Sequence, residues 1–186
     1  AMKTTSGDAR YLGSSAVTVG MNEDIIGIST SSGAVSVVTT SGEIVVASPI
    51  SAVSGAVTLA AAEYLYLFTD IVAAEAVTIH ADNFMYLTGG STVSTDATIA
   101  LSINQPGALI VGGMLASPSV TTLTGSTMVN VFQIEESASF LSGLSISGNG
   151  STDALVYSGE QDTIWTLTGT NVGNISGLSG TVAFTG

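Results

Sequence analysis

The chain has 186 residues, 45% of them hydrophobic and 9% charged, which excludes a disordered chain and leaves enough residues for one domain with a sizeable core. Its formal net charge is −12, with Lys3 and Arg10 as the only basic side chains. Because phosphate groups are bound by Lys and Arg, neither nucleic acid nor an anionic membrane surface is expected as a partner.

The chain contains no cysteine, so disulfides and cysteine-ligated zinc are excluded. No apolar run reaches the roughly 18 residues that a membrane-spanning helix requires, so membrane insertion is not expected either. We expect residues 1–186 to be a single domain that is a fragment of a much longer chain.

Short stretches of alternating apolar and polar residues begin at the amino end. The first pair covers residues 16–19 and 24–28, and the second covers 34–37 and 43–46. Alternation over four to six residues predicts a strand with one buried face, because successive side chains point to opposite sides.

Residues 55–94 consist of two consecutive copies of a twenty-residue repeat. The segment AVTL at 56–59 returns as AVTI at 76–79, and YLYL at 64–67 returns as FMYL at 84–87. Two short strands per twenty residues are typical of a coil in a parallel β-solenoid, which stacks on the next coil at about 4.8 Å.

The same pattern continues, and it loosens from about residue 135. A fifth and a sixth pair of strands are predicted at 97–101 with 108–111 and at 119–123 with 129–132, and further alternating stretches cover 138–141, 144–147, 154–157, 163–167 and 181–184. No helical periodicity is present. The sequence therefore predicts an all-β, right-handed parallel β-helix (β-solenoid) of eight or nine coils, with an antiparallel sandwich as the alternative.

Two inward columns of aliphatic side chains follow from this alignment of the coils. The first column is predicted to contain Val17, Val35, Val57 and Val77, and the second Val19, Val37, Leu59 and Ile79. The neighbouring residues Thr58 and Thr78 are then predicted to point outward.

The alignment also predicts an outward ladder of aromatic rings. If the leucines and methionine of residues 64–67 and 84–87 point inward, Tyr64 lies beside Phe84 and Tyr66 beside Tyr86. Exposed aromatic rings are typical of surfaces that bind sugars or proteins. We interpret these four residues as a contact patch for a cell-surface glycan or protein.

No catalytic residues are predicted, although the fold permits an enzyme. A glycosidase needs two or three converging carboxylates, and the candidates in the repeated coils are Glu63, Asp70, Glu75, Asp82 and Asp96. They fall mostly at strand ends and turns, so we interpret them as solvated turn residues.

One stretch of the sequence is a candidate for metal binding. Residues 148–155 are similar to the calcium-binding nonapeptide G-G-x-G-x-D-x-U-x but carry an incomplete copy, so Asp153 and Asp162 are the calcium candidates and no other cofactor is expected. His80 has no second His or Cys to bind zinc with it, which excludes a zinc site and predicts a solvent-facing turn residue.

The last third of the chain carries a family resemblance. DALVY at 153–157 is followed by DTIWTLTGTN at 162–171, GN at 173–174 and VAFTG at 182–186. This set resembles a repeat unit of very large bacterial surface proteins of the filamentous-haemagglutinin and giant-adhesin kind, in which a D-x-L strand leads to W-x-L-T-G-x-N-x-G and then to F-x-G. The resemblance covers about residues 140–186. It implies export, display on the cell surface and a role in adhesion or cell–cell contact.

The expected function is therefore that of an adhesin stalk or binding module, outside the bacterial cell. Two alternatives come from other classes: a polysaccharide-active enzyme on a parallel β-helix, and a self-assembling structural protein. The second alternative includes end-to-end self-association, because neither end of the sequence shows a helix or a charged cap that would cover the edge strands.

Overall fold

In the computed structural model the chain is built from β-strands. The structure describes residues 2–22, 25–149, 153–160, 163–169, 172–176 and 181–185. Within these ranges there is no helix, and so none that is long and apolar enough to cross a membrane. The prediction of an all-β fold is confirmed.

Three parallel sheets form the faces of a β-solenoid, and each coil contributes one strand to each sheet. Sheet 1 consists of Met2–Thr4, Ile28–Thr30, Ile50–Ala52, Ile71–Ala73, Thr92–Thr95, Met114–Ala116 and Ser139–Phe140. The parallel strands that begin sheet 2 are Ala9–Gly13, Val35–Thr39, Val57–Ala61, Val77–Ala81, Ile99–Ile103, Thr121–Thr124 and Leu144–Ser147. Sheet 3 consists of Val17–Val19, Ile44–Val46, Tyr64–Leu67, Phe84–Leu87, Gly107–Val111, Asn130–Glu135 and Ala154–Ser158.

The solenoid has about seven coils of roughly 22 residues each, numbered 1 to 7 here in chain order. The expected eight or nine coils are therefore too many. Each coil contains three strands and not the predicted two, because the sheet 1 strands are only two to four residues long. Such short strands show too little alternation to be distinguished from turns in the sequence.

The register between coils confirms most of the predicted columns. Val57 pairs with Val35 on one side and with Val77 on the other, and Leu59 pairs likewise with Val37 and Ile79. All six of these side chains are at most 1% exposed. Burial of such continuous aliphatic stacks stabilises the fold by about 25 cal/mol for each Å² of apolar surface removed from water.

Coil 1 was assigned wrongly from the sequence. Val17 and Val19 pair with Ile44 and Val46 in sheet 3, and Ala9 takes the place beside Val35 that was predicted for Val17. The error arises because Met21–Asn22 and Ile25–Ile26 form a separate antiparallel pair between the first two coils. This insertion lengthens the distance along the chain between partners and hides the true alignment.

The last strands leave the coil pattern. Val182–Thr185 pairs in parallel with Leu144–Ser147, and Val172–Ser176 and Ile164–Gly169 then add antiparallel strands to the same edge of sheet 2. The strands predicted near 163–167 and 181–184 are therefore present, but they extend one sheet and do not form further coils.

Polar side chains at the corners of the solenoid form hydrogen bonds with backbone carbonyl groups of the turns. The Oγ1 of Thr30 donates a 2.8 Å hydrogen bond to the carbonyl of Gly33, and Thr39 does the same to Gly42 at 3.2 Å. Both threonines are buried, so these bonds remove the penalty of enclosing a polar group.

Candidate functional site

The outward face of sheet 3 carries aromatic rings on coils 3 and 4. The two strands pair in register, which places Tyr64 beside Phe84 and Tyr66 beside Tyr86. The alternate residues fill the core and are 0% exposed: Leu65, Leu67, Met85 and Leu87. The predicted orientation and pairing of the aromatic ladder are thus confirmed, while its role in binding stays a prediction.

A fifth ring, which the sequence interpretation missed, joins this ladder. Phe68 is 51% exposed and stacks on Tyr66, with ring centroids 6.3 Å apart and an interplanar angle of 7°. Tyr66 also contacts Phe84 at a centroid distance of 5.8 Å. The signal was present in the sequence, because positions 64, 66 and 68 continue one alternation beyond the end of the strand.

We call Tyr64, Tyr66, Phe68, Phe84 and Tyr86 the aromatic face. Tyr64 is 39% exposed, and the two other tyrosines and Phe84 are half-buried against their neighbours. An apolar stripe therefore borders water on this side of the molecule, and it extends beyond the rings.

Aliphatic side chains flank the aromatic face on the adjoining coils. Val45 of coil 2 lies beside Tyr66, and Ile110 of coil 5 lies beside Tyr86. Both aliphatic side chains are half-buried. Four consecutive coils thus contribute to one apolar outer surface. Exposed apolar patches of this kind often mark sites of interaction with a partner.

The pKa of the Tyr86 phenol is influenced by a neighbouring carboxylate. Loss of contact with water, and secondarily the negative charge of Glu135, raise the pKa of Tyr86 above its ordinary value of 10.0. Hydrogen bonding of the phenol to the Glu135 side chain is the smallest of the three causes of this rise in pKa. Tyr86 therefore stays uncharged at neutral pH.

Replacing Glu135 by Gln should lower the pKa of Tyr86 toward its ordinary value, but only in part because desolvation is the larger cause. An NMR titration of tyrosine ring carbons measures this shift. Because the pKa is higher in the folded than in the unfolded chain, the phenol stabilises the fold below about pH 10, and this contribution is lost as the pH rises through the folded value. Glu136→Gln is the control, and equal shifts in both variants would contradict the pairing.

The five carboxylates considered for glycosidase chemistry are distributed over three corners of the coils. Glu63 and Asp82 lie between sheets 2 and 3, Asp70 lies between sheets 3 and 1, and Glu75 and Asp96 lie between sheets 1 and 2. All except the half-buried Asp82 are exposed.

A shallow groove crosses the outside of sheet 1. Its lining includes the small residues Ser51, Ser94 and Ala116 with Val72 between them, and Asp96 is the one acidic side chain among the residues that line it. This groove therefore lacks the pair of carboxylates that glycoside hydrolysis requires.

Of the two calcium candidates, Asp153 lies within the described residues and Asp162 does not. Asp153 uses one carboxylate oxygen, Oδ1, to accept a 2.8 Å hydrogen bond from the backbone amide of Asn130. In the described ranges no group of three or more His, Cys, Asp or Glu side chains is placed to hold a metal ion. Calcium binding stays a prediction.

No protein-family model, curated protein or solved structure matches this chain. The class of protein is accordingly defined by its architecture, a three-sheeted parallel β-solenoid.

Proposed function

We propose that this chain is a segment of an exported bacterial surface protein, in which it serves as a stalk and binding module for contact with a cell surface or another cell. The resemblance of residues 140–186 to repeat units of the filamentous-haemagglutinin and giant-adhesin kind supports an extracellular location. The architecture suits the role, because seven coils at about 4.8 Å form a rod about 30 Å long whose strands all bond to their neighbours.

The aromatic face is the single observation that carries the binding role. Four large rings lie together on two consecutive strands of sheet 3, and Phe68 directly follows one of these strands and stacks on Tyr66. The aliphatic side chains of Val45 and Ile110 lie beside them on the adjoining coils. Rigid aromatic side chains cover a large area at low cost in conformational entropy, and they supply much of the binding energy at interfaces.

The chemistry of the aromatic face favours a neutral partner. A formal charge of −12 repels anionic polysaccharides, whereas the apolar faces of neutral sugars and the apolar patches of proteins both pack on aromatic rings. The proposed partner is therefore a neutral cell-surface glycan or a protein surface, and the binding requires no cofactor.

The double substitution Tyr66→Ser and Tyr86→Ser tests the proposal. Each ring is expected to contribute about 1–2 kcal/mol to binding, so attachment to cells or to neutral glycan arrays should weaken by about 30-fold or more. The melting temperature should change little, because both rings lie on the outer face and leave the core intact.

The matched control is Leu12→Ser with Val72→Ser, which removes two exposed apolar side chains from sheets 2 and 1. These changes should leave attachment unaltered. The proposal fails if both double variants attach like the wild type. We also expect no turnover of pectin, alginate or neutral glycans, and measured cleavage would favour the polysaccharide-active enzyme.

A further inference from the structure

A cluster of polar side chains lies at the end of two sheet 2 strands, around the only histidine of the chain. His80 belongs to the strand Val77–Ala81, so the prediction of a turn residue is wrong. Parallel pairing places Ser102 of the next coil directly beside His80. Asp82 follows two residues later, and the backbone amide of Asn104 donates to the carbonyl of Asp82 at 3.2 Å.

Three side chains that each carry an atom able to bind a metal ion converge in this cluster. The Nε2 of His80 lies 3.1 Å from the Oδ1 of Asp82 and 3.0 Å from the side-chain amide nitrogen of Asn104. That amide nitrogen lies 3.4 Å from the same carboxylate oxygen. The side chains of His80 and Asp82 are 23% and 36% exposed, so the trio is open to water on one side.

The spacing of these atoms matches adjacent ligands of one metal ion. With metal–ligand distances of about 2.1 Å, neighbouring ligands are about 3.0 Å apart around an octahedral ion and about 3.4 Å apart around a tetrahedral one. The amide of Asn104 presents its nitrogen in this arrangement. A half-turn of the amide group, which leaves its shape unchanged, brings its oxygen to the same place.

The other nitrogen of the imidazole ring is already oriented. The Nδ1 of His80 lies 3.0 Å from the hydroxyl oxygen of Ser102. When Nδ1 carries the proton and donates it to that hydroxyl, the lone pair of Nε2 points toward Asp82 and Asn104. Metal-binding histidines are commonly fixed in this way by a hydrogen bond from the second ring nitrogen.

We propose that His80, Asp82 and Asn104 form a binding site for a divalent transition-metal ion of the zinc and copper class. Imidazole nitrogen with carboxylate and amide oxygen suits these ions, and water completes the coordination on the open side. Ser102 is a positioning residue that acts through the imidazole ring. This site is separate from the aromatic face, which lies on another sheet, and it goes beyond the proposed contact function.

The electrostatic surroundings favour a cation. The formal charge of the chain is −12, and Arg10, the one Lys or Arg on sheet 2, is paired with Asp8 at 2.7 Å. Arg10 lies three coils before His80 and two residues out of register with it, about 16 Å away at the spacings of parallel strands. Zinc was excluded from the sequence on nitrogen and sulfur ligands alone. Asp82, two residues from His80, adds a carboxylate, and the coil register brings the side-chain amide of Asn104 beside them.

The site is tested by titrating the protein with Zn²⁺ alone and monitoring binding by calorimetry and by NMR of the His80 ring protons. Because the chain has one histidine, these resonances report on a single imidazole. We expect a saturable shift at one equivalent of Zn²⁺ that weakens as the pH is lowered, because protons compete for the ligand atoms. His80→Gln should abolish one-site binding, and Asp82→Asn should weaken it about 10-fold or more.

Ser102→Ala distinguishes a built site from an isolated surface imidazole. Loss of a residue that orients a metal ligand typically weakens affinity about 10-fold to 100-fold, so Ser102→Ala should bind Zn²⁺ at least 10-fold more weakly while retaining the wild-type melting curve. Glu63→Gln, which removes a carboxylate at the same corner of the preceding coil, should bind as the wild type does. The proposal is overturned if Zn²⁺ leaves the His80 resonances unshifted, or if Asp82→Asn and Ser102→Ala bind with wild-type affinity.

Discussion

Val57→Asp and Val77→Asp should each leave the chain unfolded at room temperature. Val57 is stacked between Val35 and Val77, and Val77 is stacked between Val57 and Ile99, and all four side chains are 0% exposed. A carboxylate at either position would have no partner within an aliphatic column, at a cost on the order of 5 kcal/mol. That cost is comparable to the whole stability of many domains.

The adjacent threonines provide the matched controls. Thr58 and Thr78 pair with each other in the same two strands but on the outward face, where Thr58 is half-buried and Thr78 exposed. Thr58→Asp and Thr78→Asp should therefore retain the strand signal in circular dichroism and a cooperative melt. If the valine and threonine variants melt alike, the assigned facing of this strand is wrong.

Gly107→Ala should be nearly as damaging, although it adds one methyl group. A Cβ at this position would overlap the backbone carbonyl oxygen of Asn83 on the preceding coil, which no side-chain rotation can relieve. The two coils would have to separate locally, and we expect the free energy of unfolding to fall by about 3 kcal/mol.

The control for this substitution is Gly90→Ala. A Cβ on Gly90 meets no atom within 4 Å. Neither glycine has a left-handed backbone, so backbone strain does not distinguish the two substitutions. Gly90→Ala should change the free energy of unfolding by less than about 0.5 kcal/mol in urea titrations. Equal effects of the two substitutions would contradict the close approach of the coils at Gly107.

The central coils could be predicted from the sequence because their spacing is nearly constant there. Between Val35 and Ile103, sheet 2 strands recur with the same alternation, so aligning like with like also aligns residues that pair in space. Coil 1 departs from that spacing because of the inserted Met21–Asn22 and Ile25–Ile26 pair. A local pattern of apolar residues contains no information about which distant strand will be the partner.

The two candidate sites differ in the same way. The aromatic face was accessible from the sequence, since alternation alone determines that Tyr64 and Tyr66 point outward. The cluster at His80 was not, because Ser102 and Asn104 reach it only through the register of the next coil. Oxygen ligands from such residues carry no motif of their own, unlike paired histidines or cysteines.

Stacked coils also determine how such a rod yields under tension. Strands in each sheet bond only to the coil before and the coil after, so a force that pulls the ends of the rod apart along its axis opens one coil boundary at a time. Each released coil of roughly 22 residues adds about 75 Å of extended chain. We expect a rod built this way to lengthen in discrete steps under load and to dissipate mechanical work as each coil is released.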